Sequence, residues 1–576
     1  MPHALGVRLQ RIGNAPRLAD LAAVILLLAL MITFGMAARQ MVLPFSLGHA
    51  PPIRLAPSAL PMYTLRSVAR MLIALLASLL FTFTYATWAA KSRRAEMVLI
   101  PLLDALQSVP VLGYLSFTVL FFLSLFQGSA LGPELASIFA IFTAQAWNMA
   151  FSFYQSLRTI PVDLDEASRS LRATGWQRFW RLEVPFAMPG LLWNTMMSMS
   201  GSWFFVVASE AIAVGSTQVA LPGVGSYVAR AIEERNLGAI GWAILAMSIA
   251  IVLYDQLLFR PLVAWIEKFR VEQSAAQTAP RSWVLDLLSR SRWIQRLRVP
   301  LQSALARVAR ARLALPEWRL ARPKSELSRR FLDIAWYFGL AALTAYLVLR
   351  LAHFVRPTLS VGDLRTVALD GAITLLRVAV LIVLASLVWV PVGIAIGLKP
   401  KITELVQPIA QFLAAFPANL LFPLAVFLIV KYRLAPAIWL SPLMILGTQW
   451  YILFNVIAGA SAFPTDLREA AASLRLGPLR RWFGVLLPGI FPYFVTGAIT
   501  ASGGAWNASI VSEAVSWGET HLSTAGLGAY IAEQTAAGDF ARITLGVAMM
   551  SALVVVMNRA LWRPLYALAE RRTRLD

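Results

Sequence analysis

The chain has 576 residues, of which 59% are hydrophobic and only 14% charged, with a formal charge of +22. A water-soluble fold of this length would need more charge to clothe its surface. The absence of cysteine excludes disulfides, thiolate metal sites and thiol catalysis, and His3, His49, His353 and His521 lack metal-ligand spacing.

Arg8, Arg11 and Arg17 precede an apolar run at 18–38. That run is too long for a signal-peptide core and reads as a retained first span. Further apolar runs fall at 66–90, 98–126, 134–157, 188–214 and 237–262, and each can cross a bilayer as a helix. A basic stretch follows at 263–330, containing the amphipathic segments 283–288 and 301–315. It reads either as a linker lying on anionic lipid heads or as a regulatory or docking element. A second set of runs lies at 331–352, 373–398, 405–431, 436–460, 490–516 and 541–566. Lipid cannot satisfy free backbone groups, and period-two alternation is not evident, so helices are the expected spanning form. The sequence therefore predicts an all-α membrane protein of about 12 transmembrane helices, with repeats at 1–262 and 331–576 flanking the linker.

The second set repeats the first. Trp147 falls on Trp450, Trp203 on Trp506, Glu210 on Glu513 and Tyr227 on Tyr530, all at an offset of 303. Upstream the offset is 307, which sets Arg70 on Arg377 and Pro110 on Pro417. About six spans per repeat put both repeats in one orientation, a parallel duplication. Lys91, Arg93, Arg94, Lys399, Lys401, Arg158, Arg169, Arg571 and Arg572 gather on one side, which places both termini in the cytoplasm of a multi-pass inner-membrane protein. The net positive charge is topogenic on this reading, and no nucleic-acid partner is implied.

A path for solute is expected between parallel repeats. Polar residues inside spans face protein or the path. The candidates are Gln145, Asn148, Ser200, Trp203, Ser209 and Glu210, with Gln449, Ser502, Trp506, Asn507, Ser509 and Glu513. Helix bridging is the competing role for each, and for Glu210 and Glu513 packing or gating is favoured over cation or proton binding. Arg70 and Arg377 read as snorkelling residues, with anion attraction as the alternative. The turns at 223–225 and 526–528 read as an outer gate or as simple turns.

The loop after the fourth span carries the most information. It runs Pro161-Val162-Asp163-Leu164-Asp165-Glu166-Ala167-Ser168-Arg169-Ser170-Leu171-Arg172, then Gly175, Pro185 and Pro189. Its copy runs Pro464-Thr465-Asp466-Leu467-Arg468-Glu469-Ala470-Ala471-Ala472-Ser473-Leu474-Arg475, then Gly477, Pro488 and Pro492. Asp163 to Glu166 and Asp466 to Glu469 have capping-box spacing. Leu164, Ala167 and Leu171 share a helical face, low enough for another protein to approach. Gly175 and Gly477 are expected to turn the chain, and the prolines to end one helix and start the next.

These loops resemble the Glu-Ala-Ala loops of ABC importer permeases, most closely the nitrate, sulfonate, taurine and bicarbonate group in its duplicated form. The resemblance covers roughly 64–268 and 371–571. It implies a type I importer-like fold and a path for a small solute, an anion by preference. It also implies two separate ATP-binding subunits, which would consume ATP and dock at Asp163, Glu166, Ala167, Arg172, Gly175, Asp466, Glu469, Ala470, Ala471, Arg475 and Gly477. A periplasmic substrate-binding protein and membrane lipid complete the implied partners. The chain departs from the pattern at Ser168, and at Arg172 and Arg475, where glycine is usual. It holds no phosphate-binding Gly-x-x-x-x-Gly-Lys-[Ser/Thr] loop, so it is read as a permease with no cofactor or metal of its own and not as an enzyme. The rival reading is an ion-gradient-driven transporter with two parallel repeats.

Overall fold

The computed structural model describes residues 20, 21, 28, 53–214, 217–266, 282–311, 326–357 and 359–573. The expected first span lies almost wholly outside these residues. The described chain is nearly all helical. Among described residues seven helices are long and apolar enough to span a membrane, or up to ten if each bent pair counts as one span.

The first repeat runs α1 (Pro57–Lys91), α2 (Arg93–Ser108), α3 (Val111–Leu125) and α4 (Leu131–Arg158). Next come α5 (Val162–Ser170), α6 (Gly175–Arg178) and α7 (Val184–Glu210), a hairpin of β1 (Ala211–Val214) and β2 (Thr217–Ala220), and α8 (Val224–Glu233). It closes with α9 (Leu237–Ile266). The linker forms α10 (Trp283–Arg290) and α11 (Arg292–Arg310). The second repeat runs α12 (Glu326–Val355), α13 (Val361–Gly397), α14 (Pro400–Ala415), α15 (Ala418–Lys431), α16 (Pro436–Leu446), α17 (Gln449–Ser461), α18 (Thr465–Ser473) and α19 (Pro478–Ser512). A hairpin of β3 (Ala514–Trp517) and β4 (Thr520–Ser523), then α20 (Leu527–Ala537) and α21 (Phe540–Leu568), complete it.

Two compact units are present. One gathers α5, α6, α10, α11 and the end of α9, and the other holds the remaining helices of both repeats. In the larger unit Val111, Leu115 and Val119 of α3 share one buried cluster with Val495, Ala498 and Trp506 of α19. The two repeats therefore meet through α3 and α19. On α12, by contrast, none of the apolar stretch Ile334–Phe354 is buried in protein. A helix so apolar and so uncovered needs lipid as its solvent.

Several spans depart from their expected form. The run 98–126 is bent by 100° between α2 and α3, and 405–431 by 72° between α14 and α15. Proline explains where: Pro110 and Pro417 have no N–H and force Val109 and Phe416 into extended backbone. The expected spans 188–214 and 490–516 end early, at Glu210 and Ser512, because the apolar tails pair as hairpins in the register Ala211↔Ala220 and Ala514↔Ser523. Pro189 and Pro492 lie inside α7 and α19 and do not end a helix. A wide π-turn, at Phe179–Glu183 and again at Trp482–Leu486, precedes each proline pair. It spans the residue four before Pro185 and Pro488, whose carbonyl a proline ring would otherwise meet.

Candidate functional site

The two Glu-Ala loops fold as the short helices α5 and α18, each preceded by a proline. Neither has a side-chain cap. This corrects the expected capping box: Pro161 and Pro464 take the N-cap position two residues ahead of Asp163 and Asp466, which therefore fall inside the first turn. There they still oppose the positive end of the helix. The box that does form lies further on, where Thr174 Oγ1 accepts from Gln177 N–H and Gln177 Oε1 accepts from Thr174 N–H. The Thr-x-x-Gln spacing was its signal.

Both helices end alike. Arg172 has φ +52° and Arg475 φ +49°, the left-handed backbone usually given to glycine. Ala173 N–H reaches Ser168 O and Arg172 N–H reaches Arg169 O; Leu476 to Ala471 and Arg475 to Ala472 repeat the pattern. The turn is thus made at the arginines and not at Gly175 or Gly477, which was the expectation. Gly175 opens α6, and Gly477 has φ −59°. Glu166, Ala167, Glu469 and Ala470 are exposed, and Leu171 and Leu474 are 82% and 72% exposed. Ala471 alone among the expected loop residues is buried. Leu171 and Leu474 thus present apolar surface that the described residues leave largely uncovered.

A second duplicated construction lies around Glu210 and Glu513. Arg70 is fully buried; its Nη1 meets Glu210 Oε1 at 2.6 Å and its Nε meets Glu134 Oε2 at 2.6 Å. Ser67 Oγ donates to Glu210 and accepts from Val224 N–H at 3.1 Å, while Gly225 N–H donates to Glu210 Oε2 at 2.7 Å. In the second repeat Arg377 Nη1 meets Glu513 Oε1 at 3.1 Å, Thr374 replaces Ser67, and Leu527 and Gly528 donate as Val224 and Gly225 do. Each carboxylate thus clamps the N-terminus of α8 or α20 to α1 or α13. The glycines at 223, 225, 526 and 528 permit the approach: a Cβ on Gly225 would stand 2.1 Å from Val207 O, and one on Gly526 2.4 Å from Glu513 Oε2. The arginines are structural partners here, which corrects the snorkelling reading. Sequence reasoning missed Glu134 and the hydroxyls. Burial also pushes the phenols of Tyr227 and Tyr530 up, the latter to about 12, so both stay protonated. Tyr227 donates to Leu55 O at 2.9 Å.

The larger unit holds a cavity of about 80 Å³ among α7, α15, α16, α17 and α19. Ser200, Phe204, Thr448, Tyr451 and Asn507 line it, with Phe416 at the break before α15. Among the described residues no charged side chain lines it. Of the expected path residues, Ser200 and Asn507 reach it. Ser209 bonds to Ser137 at 2.7 Å, Gln145 accepts from Ser78 at 3.3 Å, and Gln449 accepts from Trp389 at 3.0 Å. Ser502 donates to Met557 Sδ and Ser509 to Trp506 O, while Trp203 and Trp506 are buried and Asn148 is exposed. The helix breaks are also bonded across repeats. Val111 N–H donates to Asn507 Oδ1 at 2.8 Å, and Asn419 Nδ2 donates to Phe204 O at 3.1 Å.

Comparisons with known proteins agree with this architecture. The family model described as binding-protein-dependent transport system inner membrane component matches twice, at residues 82–260 and 389–574. The bicarbonate transport system permease protein CmpB of Synechocystis sp. is 30% identical over 31% of this chain and 60% of its own length. The glycine betaine/proline betaine permease ProW of Escherichia coli is 29% identical over 33% of this chain and 50% of its own. The nitrate import permease NrtB of Leptolyngbya laminosa is 26% identical over 32% and 63%. The chain thus spans half to under two thirds of these relatives. No solved structure matches the chain. With the domain present twice, as the duplicated loops are, this chain belongs to the family of binding-protein-dependent transport system inner membrane components.

Proposed function

We propose that the chain is the fused permease pair of an ABC importer, forming the path for a small solute through the bacterial inner membrane. Repeats 1–262 and 331–576 would flank the path, with both termini cytoplasmic and 263–330 as the linker. Two separate ATP-binding subunits dock on α5 and α18, and a periplasmic binding protein delivers the solute. The chain needs no cofactor of its own; ATP is consumed by the partners. The observation that carries this reading is the pair of exposed Glu-Ala helices, alike in sequence and in their left-handed ends. Closure of the ATP-binding subunits would push on both helices and switch the path between two access states.

The solute is a small anion such as bicarbonate or nitrate by similarity to the relatives above. A second reading has support from the cavity: a lining of Phe204, Phe416 and Tyr451 without cations suits a solute that carries its own counter-charge, such as a betaine. Uptake assays with nitrate, bicarbonate and glycine betaine separate the two. Substituting Glu166→Lys together with Glu469→Lys is expected to abolish uptake while ATP hydrolysis by the partner subunits persists. Full coupled uptake in that double variant refutes the docking assignment.

A further inference from the structure

The linker helix α11 is held at both ends, with Val299 and Leu305 exposed between them. At its start Asp20 Oδ1 accepts from Ser291 Oγ at 2.9 Å and from Trp293 N–H at 3.2 Å. At its end Val308 O accepts from Trp176 Nε1 at 2.7 Å and Arg310 O from Gln177 Nε2 at 2.8 Å. These donors belong to α6, which Arg178 ties to Asp165 of α5. The last carbonyls of a helix have no partner within it, so these side chains complete the end of α11. The helix is therefore bonded to the segment that carries the first Glu-Ala helix.

Among the described residues the second repeat makes no such bonds to α11. Leu479 and Arg480 stand where Trp176 and Gln177 stand in the first, and Arg468 replaces Asp165. The attachment is specific to one loop of the pair.

Between its anchors α11 separates its residues by face. Trp293, Leu305 and Val308 fall along one arc at helical spacing, and they are 55%, 60% and 53% exposed. Arg296, Arg307 and Arg310 lie on the adjoining arc beyond Trp293, and Arg298 lies beside Leu305 at the other edge; all four are exposed. An uncovered apolar arc edged on both sides by arginine, on a helix without acidic residues, fits the boundary between acyl chains and anionic headgroups. The charge is complementary to that surface, and a membrane-embedded chain holds the helix near it at all times.

The geometry points to α11 as a membrane-surface strut: it lies in the interface of an anionic bilayer and braces the α5–α6 loop of the first repeat, leaving the α18 loop unbraced. The lipid contact stands without the docking role assigned to α5; only its consequence for transport rests on that role. Anionic lipid would thereby set the position of one loop and not the other.

The chain has no cysteine, which makes single labels clean. Leu305→Cys and Ser303→Cys, each carrying an environment-sensitive fluorophore, would be placed in the full chain. The chain would be reconstituted in phosphatidylcholine vesicles with and without about 30% phosphatidylglycerol. The label at 305 is expected to shift to the blue and be quenched by doxyl lipids when phosphatidylglycerol is present. The label at 303 should remain open to aqueous iodide. Combining Arg296→Glu, Arg307→Glu and Arg310→Glu should remove the dependence on phosphatidylglycerol. A label at 305 open to iodide in both vesicles overturns the proposal. So does one shielded equally in both, which would mean that a protein surface covers the arc. The brace has its own readout: a spin label at Ser170→Cys should lose mobility on adding phosphatidylglycerol, and Trp176→Phe with Gln177→Ala should erase that response. A response that persists overturns the link between the strut and the loop.

Discussion

Arg172 and Arg475 occupy left-handed backbone that costs an L residue about 1 kcal/mol relative to glycine. Their charge offsets part of this at a helix C-terminus. Arg172→Gly and Arg475→Gly are each expected to raise stability by up to about 1 kcal/mol, read as a rise in the thermal midpoint of the purified chain. A fall in midpoint would mean the side chains bond more than the backbone strains. The glutamates make a sharper contrast. Glu210→Gln leaves buried Arg66 and Arg70 facing the single carboxylate of Glu134, a loss of about 3–5 kcal/mol. At Glu513→Gln the partner Arg377 keeps 16% of its side chain exposed and also donates to Ala525 O and Thr524. Water and those acceptors compensate, so the loss is about 1–3 kcal/mol. Equal losses in the two variants would sink this account. At this scale the sequence named both glutamates and both arginines but did not pair them. The partners lie 140 and 136 positions apart, and no local pattern encodes such a contact.

At the scale of elements, the broken third span of each repeat is bonded to the long helix of the other. Asn507 supplies an acceptor to Val111 N–H, and Asn419 supplies a donor to Phe204 O. Asn507→Ala strands a backbone N–H that proline chemistry already freed at the bend. The expected loss is about 1–3 kcal/mol, with solute leak as a second readout because the bend loosens beside the cavity. Asn419→Ala frees only a carbonyl, whose two lone pairs tolerate a missing partner better, and should cost less. Thermal midpoints of the two variants check the order. The prolines that place the bends were visible in the sequence. The angles were not, because an apolar run reads the same whether its helix is straight or bent through 100°. The hairpins were hidden for a related reason: Ala211–Val214 is apolar enough to pass for the last turn of a span.

Across the whole molecule the repeats share a plan but not its details. The first repeat adds Arg66 and Glu134 to its clamp, where Ile373 and Ala437 stand in the second. It also ties its α5–α6 loop through Asp165, Trp176 and Gln177. Single substitutions should therefore act unequally. Glu166→Lys sits on a loop held by neighbours and should reduce coupled uptake less than Glu469→Lys, whose loop lacks those ties. Paired measurements of uptake and ATP hydrolysis decide it; equal defects would show that the ties do not matter to transport.

Membrane residence, the duplication with its offsets of 303 and 307, and the location of the two Glu-Ala helices were determined by the sequence alone. Hydropathy, repetition and turn chemistry are one-dimensional signals, complete within a few dozen residues or within a constant shift. The tertiary structure alone decided which polar residues satisfy one another and which reach the cavity. Of twelve in-span candidates most bond to or pack among neighbouring residues, and which partner each one meets depends on which helix faces come together.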